Sequence, residues 1–245
     1  MDLTVPEYAY MFGVEISARD IELLRRFQKL TPYYSRITER TRSTNFAETH
    51  TSVVWSLCSL EARTELSELG LPYGRKSKTI SPPLGEFSGR DYLRGVIDAD
   101  GSVGFTSQGF PFVSLTTKST AIAAYTSCYV RVITGAERTL KRNARDDIYN
   151  ILYTKENAQQ LAAHLYYPGC LSLERKQTAA DSLVPWVRPA DMERRPPRIH
   201  WTPEMDRILL AAPTIAHAAV ELGYSTSPCQ QRRWKLLHGV VPLPG

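Results

Sequence analysis

The sequence predicts an α+β protein: two αββαββα-type units in tandem, the first lacking its opening helix and first strand, then a small all-α unit of three helices. Three observations predict it. Strand-like alternation and helical spacing follow one another in the same order twice, about 100 positions apart. A Pro- and Arg-rich stretch then breaks the pattern, and beyond it three short apolar periodicities start at cap residues. The chain divides accordingly into 1–86, 87–186, a basic linker at 187–200 and a last unit at 201–245.

In the first unit, Tyr8 to Ser17 alternates like a strand and Asp20 to Leu30 has helical spacing. Arg36 to Arg42 and Thr51 to Leu57 make a hairpin about Ser43 to Glu48. Leu60 to Leu69 is a short helix, followed by Gly74-Arg75-Lys76-Ser77-Lys78.

The second unit opens on Leu93-Arg94-Gly95-Val96-Ile97-Asp98-Ala99-Asp100-Gly101. On a helix, Gly95 and Ala99 form a smooth helix-packing face where a second backbone can approach, while Leu93, Val96 and Ile97 supply apolar bulk. Gly101 is expected to stop the helix in the left-handed conformation. Asp100 at that stop is an acid where the helix dipole disfavours one, an arrangement that invites a cation.

Ser102 to Thr106 and Phe110 to Thr117 then alternate about Gln108-Gly109, and Ser119 to Ile133 reads as a helix. A second hairpin is expected from Arg138 to Arg142 and Ile148 to Tyr153, with Asn157 capping a helix through Leu165. Leu173-Glu174-Arg175-Lys176 ends the segment, so Arg175-Lys176 stands 100 positions after Arg75-Lys76.

Hydrophobic content of 42% and charged content of 22% describe an ordinary globular chain, and a net charge of +5 suits a polyanionic partner. Cys58, Cys128, Cys170 and Cys229 lack CxxC spacing and are expected to be reduced, mostly buried thiols. No apolar run approaches membrane-spanning length and the first residues resemble no signal peptide, which predicts an intracellular protein with no membrane contact. The histidines are scattered, and no Ser-His-Asp arrangement, Gly-rich phosphate loop or nucleotide fingerprint is present.

The nine residues from Leu93 to Gly101 resemble the motif of the LAGLIDADG homing endonucleases, with Arg94 and Val96 the looser positions. The αββαββα order, followed by basic residues, is similar to the core of that family over about residues 8 to 185. The resemblance implies a saddle of two such units whose strands lie in the major groove of double-stranded DNA. It further implies a site-specific endonuclease of the kind that mobilises introns or inteins, hydrolysing phosphodiester bonds with Mg2+ or another divalent cation. Asp100 would be the catalytic metal ligand, with Lys176 and, by the repeat, Lys76 near the water network, and Asp98 supporting the helix end. The expected compartment is the cytoplasm, at the nucleoid, or an organelle.

The first unit has no motif helix to give Asp100 a partner, and three arrangements are open. The chain begins downstream of a true start; or two copies form a homodimer through the motif helix; or the unit has become a DNA-binding scaffold. Regulators of the WhiA type, with a degenerate unit and a helix-turn-helix, resemble the last plan, and intron RNA maturases share the fold.

Strand residues expected to face DNA are Arg36, Thr38, Arg40 and Arg42 in the first unit and Thr106, Gln108, Ser114, Thr116, Arg138, Lys141 and Arg142 in the second. The opposite parity is apolar, as at Val103, Phe105 and Val113. The linker carries Pro189, Pro196 and Pro197 with Arg188, Arg194, Arg195 and Arg198, an extended strap suited to phosphates.

Beyond the linker, Thr202 caps a helix with Pro203 at its first position, Thr214 opens a second closed by Gly223, and Ser227-Pro228 opens a third through Leu237. The arrangement resembles a helix-turn-helix of the Myb or SANT kind, with Trp201 and Trp234 as core. Gln230, Gln231, Arg232, Arg233 and Lys235 would contact DNA.

Overall fold

Alternation along β1 (Met11–Ser17) puts Phe12, Val14 and Ile16 on one side and Gly13, Glu15 and Ser17 on the other, and this period of two builds the first sheet. The computed structural model describes residues 11–44, 47–71, 74, 76–190, 192 and 199–244. The expected strand start at Tyr8, Arg75 of the first basic pair and the linker arginines Arg194, Arg195 and Arg198 lie outside the described residues. The chain forms two compact units, Met1–Pro189 and Ala190–Gly245. Among the described residues the fold is mixed α+β, with two antiparallel sheets, and no helix is long and apolar enough to cross a membrane.

The first sheet joins β1 to β2 (Ser35–Thr44) and β3 (Ala47–Cys58) in the order β1-β3-β2. Its register sets Val14 and Ile37 beside Trp55 and Ile16 beside Val53. That face is covered by α1 (Ile21–Leu30) and α2 (Leu60–Glu68) through Leu24 and Ala62, with the Phe27 ring edge-on to Trp55 at 4.9 Å. The hairpin is longer than the alternation predicts because pairing continues toward the turn, with Arg42 beside His50 and Thr44 beside Ala47.

The second sheet runs β4-β5-β7-β6, with β4 (Gly101–Phe105), β5 (Pro111–Thr117), β6 (Arg142–Asn143) and β7 (Ile148–Thr154). Four helices accompany it: α3 (Gly89–Asp100), α4 (Thr120–Thr134), α5 (Glu156–Leu165) and α6 (Glu174–Leu183). Leu93 and Ile97 of α3, Val113 and Leu115 of β5, and Leu161 and Leu165 of α5 share one core. The order β1-β3-β2 reappears as β5-β7-β6, so the repeat is visible in topology. The second sheet adds β4 on the outer edge of β5, while β1 ends the first sheet.

Several expectations are corrected. The strand over Arg138–Arg142 shrinks to a two-residue bridge, because only Leu140 of that run packs on the core while Arg142 turns to Asp147. Asn157 does not cap α5: Lys155 holds that place with a positive φ of 61°, its N–H bonded to the Pro111 carbonyl. Phe105 is exposed rather than apolar core, and so are Cys58 and Cys128, at a strand end and on the outer side of α4.

The basic pair Arg175-Lys176 begins a helix, α6, that periodicity does not announce. Its buried stripe is Lys176, Ala180 and Leu183, and a lysine there masks the apolar spacing. The segment after α6 is tied down by Gln159, which donates to the carbonyls of Leu183, Val184 and Trp186, and by a two-pronged Arg188–Glu156 pair at 2.5 and 2.7 Å. Arg188, expected in the linker, therefore belongs to the first unit.

In the second unit α7 (Pro203–Ala211), α8 (Ile215–Leu222) and α9 (Thr226–Leu237) enclose Leu209, Ala218, Ala219, Cys229 and Leu236. Thr202 and Thr214 accept from the backbone N–H three residues on, and Gly223 ends α8 at φ 68°, where glycine has no Cβ to clash. Trp201 packs against the core as expected, but Trp234 is 54% exposed.

Candidate functional site: the motif-helix carboxylates and the open sheet faces

Ser88 starts α3 by accepting from the Asp91 N–H and donating to its carboxylate at 2.8 Å. The inward stripe that follows is Leu93, Arg94, Ile97 and Asp98, two apolar residues interleaved with two charged ones. Arg94, the looser motif position, is buried because its donors are used: Nε on the Leu171 carbonyl at 2.9 Å, and one terminal nitrogen on Asp91 at 2.6 Å and on the Leu165 carbonyl at 3.3 Å.

Asp98 accepts from the Tyr166 hydroxyl at 2.8 Å and the Leu173 N–H at 3.0 Å. Burial pushes its carboxyl above the ordinary aspartate value, and the two hydrogen bonds pull the other way. Arg94 and Asp98 together pin the connection between α5 and α6 to the motif helix.

That connection delivers Lys176. Its ammonium donates to the carbonyls of Ile97, Asp98 and Gly101 at 2.6, 2.7 and 2.8 Å, all at the C-terminal end of α3. Burial holds this lysine below its ordinary value, opposed by the charge of Asp98. The ammonium at the negative end of the dipole accounts for the acid at Asp100. Lys176 was expected among the groups facing phosphate; all three of its donors are instead committed to the helix end, which makes it a positioning residue.

Gly101 does not stop the helix in the left-handed region. It is extended, at φ −105° and ψ −178°, and starts β4 at once. Glycine is needed for space: a Cβ there would lie 2.6 Å from the Ser114 carbonyl oxygen.

Asp100 is exposed at the end of α3, accepts no hydrogen bond among the described residues and senses the Lys176 charge. Gly95 and Ala99 are exposed on the same helix, and a Cβ at Gly95 would meet nothing within 4 Å. The smooth face expected to pack against a second helix is thus exposed, and no helix equivalent to α3 precedes β1 among the described residues. Among the described residues no group of three His, Cys, Asp or Glu is arranged to hold a metal ion.

The sequence matches no protein-family model and no curated protein.

Lys76 is no counterpart of Lys176. It lies in a turn, accepting from Thr79 and Ile80, with its ammonium 5.7 Å from the Phe12 ring centroid on the covered side of the first sheet. Lys76 and Lys176 stand at equal offsets in sequence but not on equivalent structure.

Arg36, Thr38, Arg40 and Arg42 share one exposed face of β2, opposite the side that carries Ile37. Glu15 of β1 lies on the same face, accepting from Ser52 at 2.6 Å and pairing with Arg42 at 2.9 Å. The Ser52 hydrogen bond holds its carboxyl below the ordinary glutamate value; burial opposes it, and the charge of Arg42 adds a smaller lowering.

On the second sheet Ser114 and Thr116 lie on the face opposite buried Val113 and Leu115, and Thr116 donates to Asn150 at 3.1 Å. Gln108 is exposed at the β4–β5 turn, which the Thr106 hydroxyl closes by accepting from the Phe110 N–H. Lys141 is exposed next to β6.

Two arginines depart from the expected face. Arg138 lies over the buried Tyr153 ring at 5.7 Å, on the helix-covered side. Arg142 pairs with Asp147 at 2.6 Å, donates to the Lys118 carbonyl and Thr120, and covers Tyr149. Its guanidinium is occupied in closing the edge of the sheet.

The basic run of α9 splits in the same way. Cys229 and Leu236 fix the inward side, and Arg232 and Arg233 flank it half-buried. Arg232 grips the buried Asp206 of α7 with two bonds, at 2.8 and 2.6 Å. Gln230, Gln231 and Lys235 remain exposed, with Trp234 between them stacked on His238 at 4.3 Å. Sequence reasoning missed Asp206, whose only sign is an acid on the buried stripe of α7.

Proposed function

We propose that the chain is a site-specific DNA endonuclease of the LAGLIDADG type, requiring Mg2+ or another divalent cation and acting as two copies paired through α3. The observation that carries this reading is Asp100: an exposed carboxylate on the same helix as the open Gly95–Ala99 face, its helix end neutralised by Lys176. Pairing two copies across that face would bring two Asp100 carboxylates together.

Those hard oxygen donors fit Mg2+, which takes few protein ligands and completes its shell with water and phosphate oxygens. A cation so held would polarise the scissile phosphate and activate water. The chain's own residues supply placement. Lys176 and Asp98 fix the end of α3, so the Asp100 carboxylate projects from a rigid point. Arg36 and Arg40 face outward from the first sheet and are suited to DNA phosphates, as is Thr38 beside them, while Arg42 is paired with Glu15. Ser114, Thr116 and Gln108 are suited to contacts with base edges.

The test is cleavage of a complex duplex library by the full chain with Mg2+, against the same reaction in a chelator. Metal-dependent cuts at a recurrent site, each removed by Asp100→Asn, are expected. The rival reading is a regulator of the WhiA kind that binds without cutting; that no group of three His, Cys, Asp or Glu is arranged to hold a metal among the described residues favours it. Tight, sequence-selective binding with neither cut nor nick would establish that reading instead.

A further inference from the structure

The outward side of α9 has a composition that the basic run alone does not suggest. At 3.6 residues per turn, Ser227, Gln231, Trp234 and His238 lie opposite the buried Cys229 and Leu236, with Gln230 and Lys235 on the flanks. The side chains most apt to read guanine are withdrawn from it: Arg232 is held at both ends of its fork by Asp206, and Arg233 lies toward the inward side. What remains outward is a pair of carboxamides and a large aromatic ring, 54% exposed. α9 carries no carboxylate, and Lys235 is exposed, so the helix complements a polyanion.

The major-groove edge of each base pair displays its own pattern. Adenine offers the N6 donor and N7 acceptor, which a carboxamide meets with both its ends, and thymine adds a methyl group that takes apolar contact. Guanine offers two acceptors, matched by an arginine fork. We propose that α9 reads A·T base pairs in the major groove, with Gln230 and Gln231 on adenine and the Trp234 ring against thymine methyl groups. This deepens the DNA-binding reading above and rests on it. The Arg232–Asp206 pair is then a positioning element, locking α9 against α7 and keeping a guanine-reading side chain out of the groove.

The experiment is selection of duplexes from a randomised pool by the full chain, wild type and Gln230→Ala/Gln231→Ala, with Trp234→Ala as a third arm. Both glutamines are exposed, so the double variant keeps its fold, checked by circular dichroism. Wild type is expected to enrich a short A·T element within its site. The double variant should lose that element and bind the wild-type site about tenfold or more weakly, while still selecting the remaining positions.

An A·T element selected equally well by both proteins, or a G·C element in its place, overturns the assignment to α9 and leaves DNA binding intact. Failure of the wild type to retain any duplex at low salt overturns DNA binding itself, and this assignment with it. A wild type that is dimeric in solution and becomes monomeric in Trp234→Ala, with selection unchanged, gives the face to a second copy and also overturns the proposal.

Discussion

The two halves of the first unit share a strand order and differ in what they expose. The open face of the first sheet carries Arg36, Arg40 and Arg42, whereas the matching face of the second carries Ser114, Thr116, Asn150 and Leu152. The arginine-bearing face also carries Glu15, paired with Arg42, but the motif-helix acids have no counterpart among the described residues of the first half. Only the second half has α3, with Asp98 buried in hydrogen bonds, Asp100 exposed, and a lysine on the helix end. Equal topology therefore does not mean equal chemistry: one half exposes a row of arginines on its sheet, the other an acid at a helix end.

The sharpest break of that comparison is at the two lysines. Lys176→Met removes three hydrogen bonds from buried carbonyls and leaves Asp98 without its neighbouring cation, and should cost about 3 kcal/mol of unfolding free energy in urea titration. Lys76→Met removes a cation near one ring and should cost less than about 1 kcal/mol. Equal losses would mean that the two corners are equivalent after all.

The second break is at the sheet faces. Arg36→Ala and Arg40→Ala should each weaken duplex binding about evenly across sequences and lower the salt slope by about one. Thr116→Ala should leave the slope unchanged and relax preference at one position. A salt slope that responds only to the second sheet would reverse the assignment.

The legible part of this structure was the part written in period. Val14, Ile37 and Trp55 on one side of the first sheet, with Arg36 and Arg40 on the other, follow from alternation alone. The caps at Thr202 and Thr214 and the glycine after α8 were equally plain. What sequence reasoning lost was polar residues on buried stripes. Lys176 hides α6, and Arg94 looks like a poor motif match until its carbonyl acceptors are seen.

Acidic partners misled in the other direction. Arg142 and Arg232 read as free cations, but Asp147 and Asp206 take them. Trp234 read as core because tryptophan usually is, and the helix turns it outward. At the candidate site, Asp100 and the face formed by Gly95 and Ala99 were visible from spacing; the support under Asp100 was not.

The smallest expected effect is acid dependence, and it lies at the start of α3. Hydrogen bonds from Ser88 and Tyr167, then Arg94, hold the Asp91 carboxyl down to about 2, from an ordinary value of 3.8. A folded value below the unfolded one stabilises the protein above pH 3.8, and that contribution fades as pH falls toward 2. Asp91→Asn should therefore flatten stability against pH in this window, by a modest amount because the carboxylate is 43% exposed. Asp98, raised by burial, works in the opposite sense: ionising it in the folded state is unfavourable, so its effect on stability declines as pH rises past the ordinary aspartate value.

The division of labour between the halves is tested most directly by measuring binding and cutting on one selected duplex, with Mg2+, for wild type, Asp100→Asn and Arg40→Ala. Asp100→Asn should bind within about twofold of wild type and cut at least about 100-fold more slowly, while Arg40→Ala should lose affinity and still cut once bound at saturating protein. Cutting by Asp100→Asn at the wild-type rate would contradict the account.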